Sequence, residues 1–408
     1  MSRFPRVRRV LHWAMAGLLG VQFGTIAGLT VIGSRRKKKR KPYRFPTASA
    51  VPIAAGEDEI TIYTFGRDLY ADMLEAIRGA RETIYFETYI WKSDHTGRKF
   101  RQALIEAAER GVRVYVIFDD FANLVVKRSF LRLPPTLHVY RHPAYSVPWN
   151  PKRWGRDHRK ILVVDDTAAF VGGYNIGSLY AHHWRDTHVR VTGPAVSELQ
   201  NVFADFWNMH RREPQPELTP PSRRHWASPI RVQRNVPRLQ VYPIRNMYLE
   251  AIDRACERVW LTHAYLIPDD EFLGVLFAAV RRGVDVRIIV PAESNHVVAD
   301  WLSRGYYAQL LRYGVRLFLY QGAMVHAKTA TIDGQWSTIG TANLDRLSLW
   351  GNYEVNLEIT DPAVARRMEE IFALDEGNSI ELTLEQWTRR SVVAKATEAI
   401  LSPWRPLL

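Results

Sequence analysis

The stretches HRKILVVDD, residues 158–166, and HAKTATIDG, residues 326–334, carry one pattern: a histidine, a lysine two positions on, and an aspartate five positions after that. The residues are His158, Lys160 and Asp165 in the first and His326, Lys328 and Asp333 in the second, 168 apart (326 minus 158). Side chains alternate along a strand, so His and Lys at i and i+2 point to the same side. The apolar run after each lysine fits a strand inside a packed sheet. The segments that follow, GGYNIGS (172–178) and IGTANLDRLS (339–348), keep the offset, since Asn175 and Asn343 also differ by 168. One triplet alone is weak evidence, because a lone strand histidine is usually a core residue and a lone lysine beside it usually lies on the surface. Two triplets at the offset of an internal repeat predict one site built from both halves of a duplicated chain.

The flanking sequence repeats as well. TIYFETYI (83–90), an amphipathic window from Lys99 to Arg110, and VRVYVIF (112–118) read as strand, helix and strand, with Gly111 ending the helix. VWLTHAYLI (259–267), the window Glu271 to Arg282, and VDVRIIV after Gly283 repeat the order. The fold class expected is α/β, with two similar halves at residues 57–212 and 239–408, the second ending in a helical tail. Residues 213–238, rich in proline, read as a linker.

If the halves pack about a pseudo-twofold axis, two histidines and two lysines meet at one place. Such a site suits an oxyanion: Lys160 and Lys328 supply charge, Asn175, Asn343, Ser178 and Ser348 add donors, and the histidines divide nucleophile and acid roles. Asp186 follows His158 at the same interval as Glu354 follows His326 (186 minus 158 equals 354 minus 326). The spacing gives each histidine a carboxylate from its own half to accept the Nδ1 hydrogen bond. Asp165 and Asp333 each end a strand before a turn, where capping the turn competes with a catalytic role.

Charge and hydropathy divide the chain unevenly. Its 56 Lys and Arg against 42 Asp and Glu give +14, but twelve of the basic residues and no acidic ones fall in residues 1–44. The remainder carries 44 basic (56 minus 12) against 42 acidic residues and is nearly neutral. That argues against a nucleic-acid binder, whose charge would spread over the folded surface. The single cysteine, Cys256, excludes an intrachain disulfide and a Cys-based zinc site.

Val10 to Gly33 is 24 residues without a charge, and as a helix it would reach roughly 36 Å, enough to cross a hydrocarbon core of about 30 Å. The expectation for residues 1–56 is therefore a single-pass anchor in the inner membrane followed by a polybasic segment. Eight basic residues after the span against four before it place the folded part in the cytosol. The run Arg35 to Lys41 would rest on anionic headgroups. Gly20, Gly24 and Gly28 share one helix face and offer a homodimer contact.

With both His-x-Lys-x4-Asp motifs, the chain resembles the phospholipase D superfamily, and within it the bacterial cardiolipin synthases. The resemblance runs from about Ile60 to Leu408 and includes WRDTHVRVTGPAV (184–196), AYLIPD (264–269) and GTANLDRLSLWGNYEVN (340–356). It implies an α-β-α sandwich of two halves sharing one active site. It implies a metal-free, cofactor-free exchange of phosphodiesters, with His158 as nucleophile, His326 as acid and base, and Lys160, Lys328, Asn175 and Asn343 on the phosphoryl oxygens. The leading expectation is a membrane-anchored phosphatidyltransferase making cardiolipin from phospholipid substrates. A hydrolytic phospholipase D is the alternative, and a nuclease of the superfamily ranks below it. Tyr145, Val147, Trp149 and Trp154 could border an acyl-chain entrance or belong to the core. The tail from Thr383 to Leu408 could rest on the membrane, with docking on the protein the favoured expectation.

Overall fold

Thr83–Thr88 and Arg113–Asp119 are parallel strands joined by the helix His95–Glu109. The Asp94 side chain accepts from the Gly97 N–H at the start of that helix. Gly111, at φ 93°, turns the chain out of it. In the second copy, Asp269 caps the helix Asp270–Arg281, and Gly283 at φ 91° follows its end. The computed structural model describes residues 44–144, 155–219 and 228–403, together with Gln22, Thr25 and Gly28. Gly20, Gly24, the polybasic run, most of the 10–33 span, Tyr145, Val147, Trp149 and Trp154 lie outside the described residues. Among the described residues, no helix is long and apolar enough to cross a membrane.

The first half supplies β1 (Pro52–Ala55), β2 (Asp58–Phe65), β3 (Thr83–Thr88), β4 (Arg113–Asp119), β5 (His138–His142), β6 (Ile161–Val164), β7 (Ala168–Gly172) and β8 (Trp184–Thr192). Their order across the sheet is β1-β2-β8-β7-β6-β3-β4-β5. The second half supplies β9 (Ile230–Asn235), β10 (Arg258–His263), β11 (Asp285–Pro291), β12 (Arg316–Tyr320), β13 (Met324–Val325), β14 (Lys328–Ile332), β15 (Trp336–Gly340), β16 (Glu354–Ile359) and β17 (Ser379–Leu382). Read from β9, that sheet runs β9-β16-β15-β14-β10-β11-β12-β17, the same order with β9 in the place of β2. The duplication is thus one of topology as well as of motif.

Two boundaries differ from the sequence expectation. The first sheet begins at Pro52 rather than after residue 57, and β9 lies inside the stretch read as a linker. One strand also changes sides: β13 leaves its own sheet and pairs in parallel with Trp184 and Arg185 of β8.

The helices Val196–His210 and Pro362–Gly377 share a core that belongs to both halves. Val171, Val189 and Val191 of the first sheet join Ile339, Val355 and Leu357 of the second in one continuous buried cluster, each fully inaccessible. The tail forms the helices Leu384–Thr388 and Val392–Leu401, and Leu401 is buried with Ile267 and Leu302.

Candidate active site

Each His-x-Lys segment reaches its position by docking on the other half. The His158 N–H donates to the Tyr353 carbonyl at 3.1 Å, and the His326 N–H donates to the Arg185 carbonyl at 2.7 Å. The two acceptors keep the offset of the motifs (353 minus 185 equals 326 minus 158), so one contact is the other turned about the pseudo-twofold axis. Each acceptor immediately precedes a buried carboxylate, Glu354 or Asp186.

The pairing that follows corrects the expectation of a carboxylate from the same half. Nδ1 of His158 lies 2.9 and 3.0 Å from the two carboxylate oxygens of Glu354. Nδ1 of His326 lies 2.6 Å from Oδ2 of Asp186. The pairs are crossed because docking sets each histidine one residue from the opposite half's carboxylate. With Nδ1 held, Nε2 is left as the reactive nitrogen of each ring.

The carboxylates are fixed in turn. The Thr341 hydroxyl donates to Glu354 at 2.5 Å, and the Thr187 N–H donates to Asp186 at 2.7 Å. Gly173 makes room for Asp186: a Cβ at that position would fall 2.0 Å from Oδ1.

Lys160 and Lys328 are buried beside the histidines, and each ammonium donates to the carbonyl of its own motif's histidine. The Lys328 ammonium also lies 3.0 Å from Nδ1 of His326. Burial lowers Lys160 to about 7, with Glu354 opposing the shift and Lys328 adding to it. Burial lowers Lys328 to about 8 against the pull of Asp186 and Glu354. Both histidines lie below their ordinary range through burial, and Lys328, Lys160 and His158 push His326 down further. Burial raises Asp186 to about 6, and Lys328 opposes that rise. Two cations and two imidazoles crowded in a low-dielectric site favour an anion, whose charge would restore the lysines toward their ordinary values.

The remaining sequence-predicted residues divide. Asn175 is buried, and its Oδ1 accepts from the Ile90 N–H at 3.1 Å. Asn343 is buried with Oδ1 unpartnered among the described residues. Ser178 and Ser348 are used locally: the Ser178 hydroxyl meets that of Thr96 at 3.0 Å, and the Ser348 N–H donates to Asp345 at 2.7 Å. Asp165 and Asp333 are not part of the site, which corrects their assignment as catalytic. Seven residues of extended chain, roughly 23 Å, separate each from its histidine. Asp165 accepts from the N–H groups of Arg81, Glu82 and Thr83 at 2.6 to 2.8 Å. Asp333 accepts from those of Cys256, Glu257 and Arg258 at 2.7 to 2.9 Å.

Aromatic walls were missed in the sequence. The Tyr89 ring lies 4.7 Å from that of His158, and the Trp184 ring lies 4.9 Å from that of His326. The available signal was position: Tyr89 directly follows β3, the strand paired with β6 of the first motif.

Comparison with known proteins places this geometry. The sequence matches the family described as "Cardiolipin synthase, PLD-like domain" over residues 73–207 and 248–375. A cardiolipin synthase of Clostridium perfringens is 30% identical over 370 residues, covering 86% of this chain and 77% of that protein. One from Staphylococcus aureus is 32% identical over 367 residues, covering 86% and 74%. Among solved structures, phosphatidylserine synthase of Haemophilus influenzae superposes with a TM-score of 0.66 at 14% identity, over 89% of this chain and 95% of that one. This last likeness is one of fold.

Proposed function

This chain belongs to the cardiolipin synthase, phospholipase D-like family and is a phospholipid phosphatidyltransferase; from that premise we propose that it makes cardiolipin from phosphatidylglycerol through a phosphohistidine, held at the membrane by the 10–33 segment. The observation that supports this reading is the crossed pair of histidine–carboxylate contacts, which leaves two Nε2 atoms beside two buried ammonium groups.

In the first step, Nε2 of His158 attacks the phosphorus of one phosphatidylglycerol and the bond to its glycerol oxygen breaks. His326, which takes up a proton at Nε2 when the anionic phosphodiester enters and offsets the neighbouring cations, gives that proton to the departing glycerol. In the second step, the neutral His326 takes the proton from a glycerol hydroxyl of a second phosphatidylglycerol. The oxygen of that hydroxyl attacks phosphorus and releases His158. The balance is two phosphatidylglycerols in, one cardiolipin and one glycerol out. Lys160 and Lys328 offset the growing negative charge, and Glu354 stabilises the His158 ring as it becomes cationic.

The test is to incubate the purified protein with phosphatidylglycerol in detergent micelles and identify products by mass spectrometry. Cardiolipin with an equal amount of glycerol is expected. Phosphatidic acid alone would replace the synthase reading with hydrolysis. A phosphorylated His158 peptide from an acid-free quench is expected in the parent, slower to form in His326→Ala, which lacks the acid, and absent in His158→Ala.

A further inference from the structure

The segments that carry the site asparagines also carry exposed apolar side chains that the chemistry does not use. Leu179 and Leu347 occupy equivalent positions in the repeat, each four places after its half's site asparagine, and each is exposed, at 47% and 44%. Exposure of one leucine is ordinary, whereas exposure of the same leucine in both copies of a repeat, beside the site in each, calls for a common cause. The loop after β4 adds Leu124 and Val125, exposed at 56% and 85%. That loop is fastened to the site. Asp119 accepts from the N–H of Asp157, the residue before His158, at 3.1 Å, and Asn123 donates to the carbonyl of Tyr89 at 2.9 Å. Val125 and Leu179 line one surface cavity with Lys92.

Charge identifies the occupant. The stretch FANLVVKRSFLR (121–132) contains no acidic residue, and Lys127, Arg128 and Arg132 are exposed in it. Arg346, exposed, precedes Leu347. The nearby acids are engaged: Asp94 accepts from Gly97 and Ser178, and Asp120 pairs with Arg141 at 2.9 Å. Exposed apolar side chains with exposed cations beside them in the chain match an anionic leaflet, with cations at the phosphates and aliphatic groups below them. A second observation points the same way. Gln22, within the apolar 10–33 stretch, donates to the Ile400 carbonyl at 3.1 Å. Leu401 beside it packs on Ile267, whose N–H donates to the carbonyl of Leu344, next to Asn343, at 2.8 Å. Gln22 therefore meets the folded body on the side of the helix that carries Leu401.

We propose that the rim formed by Leu124, Val125, Leu179 and Leu347 is a membrane-docking surface, seated in an anionic phospholipid leaflet so that the site opens directly onto lipid headgroups. The inference rests on the phospholipid reading of the site. Its test keeps the two separable by measuring position as well as turnover. The full chain carrying Cys256→Ser is labelled with a fluorophore at Leu179→Cys, Leu347→Cys or, as a control on a distant surface, Tyr313→Cys. It is then reconstituted into phosphatidylglycerol-containing vesicles whose acyl chains bear a nitroxide. Quenching of at least half the emission at positions 179 and 347, with none at 313, is expected. Equal emission at all three positions overturns the proposal whatever the enzyme's products. In parallel, Leu124→Ser/Val125→Ser and Leu179→Ser/Leu347→Ser should lose at least tenfold in kcat/KM on vesicle phosphatidylglycerol. Both should stay within twofold of the parent on dihexanoyl phosphatidylglycerol dispersed as monomers. Equal loss on both substrate forms, or on neither, counts against the surface.

Discussion

Glu354 and Asp186 decide how the two imidazoles differ from ordinary buried histidines, because each holds Nδ1 of a ring supplied by the other half. The crossing makes a sharp prediction for coupling. Glu354→Gln should lower kcat by about 10² to 10³, the range expected when an orienting, charge-stabilising partner is lost. In a His158→Ala background the same change should cost almost nothing, since both act through one ring. Adding Glu354→Gln to His326→Ala should instead slow further the already slow phosphohistidine formation of the single variant, since the two changes act on different rings. Single-turnover formation of phosphohistidine distinguishes the pairings, and full additivity of Glu354→Gln with His158→Ala would sink the crossed arrangement. The lysines give a pH prediction. Their charged forms bind the phosphodiester, and burial places the free Lys160 at about 7 and Lys328 at about 8. Each loses its charge as pH rises through its value, so kcat/KM should fall above about pH 7 and fall more steeply above about 8. A bound anion raises both lysines, so the same decline in kcat should appear at higher pH. Profiles from pH 6 to 9.5 check this, and a kcat/KM that stays flat to 9.5 would contradict it.

At the scale of elements, Asp165 and Asp333 act on strands rather than on substrate. Each sits in the left-handed region, at φ 50° and 53°, and gathers three N–H groups where β3 or β10 begins. Asp333→Ala removes those charge-assisted bonds and places alanine in a conformation that it tolerates poorly, for a loss of about 2 kcal/mol. Asp333→Asn, which tolerates that conformation and keeps one acceptor, should lose less. Urea midpoints measure the difference, and kcat of the folded protein should stay within twofold; a kcat collapse in Asp333→Asn without lost stability would return this residue to the chemistry. These aspartates show where sequence reading stops. The constant offset between the two motifs makes the duplication legible, along with the β-α-β units and the His/Lys pairs. The partner of each histidine was not legible, because the interval from histidine to carboxylate is the same in both halves and fits own-half and crossed pairing equally. The pairing of Met324 and Val325 with the opposite sheet and that of Asp157 with Tyr353, which together produce the crossing, are tertiary events with no local signature. The strand Ile230–Asn235 escaped for another reason. IRVQRN offers only Ile230 and Val232 as alternating apolar positions beside a proline-rich stretch, and its place is set by pairing with β16.

Across the whole molecule, the halves meet through a shared core and a buried ion pair. Arg185, two residues before Thr187 on β8, is buried, and its guanidinium donates to both carboxylate oxygens of Asp375 at 2.9 and 2.6 Å. Asp375 lies on the helix Pro362–Gly377 of the second half, and the carbonyl of Arg185 accepts the His326 N–H. One pair therefore ties the halves together and holds a catalytic strand. Asp375→Asn leaves the guanidinium buried without a counter-charge, which typically costs about 3–5 kcal/mol. Because Val189, Val191, Val355 and Leu357 belong to one cluster, that loss cannot be confined to the second half. Calorimetry should show a single unfolding transition in the parent chain and a single transition at lower temperature in Asp375→Asn. Two resolved transitions would mean that the halves fold independently. Activity should fall with the same substitution even where the protein remains folded, since the strand that docks the His326 N–H and carries Asp186 loses its anchor. Changing both partners, Arg185→Met with Asp375→Leu, removes the unpaired charge and should recover more stability than activity. That separation follows from the division of labour within the pair: its burial concerns the fold, while its geometry concerns where Nε2 of His326 points.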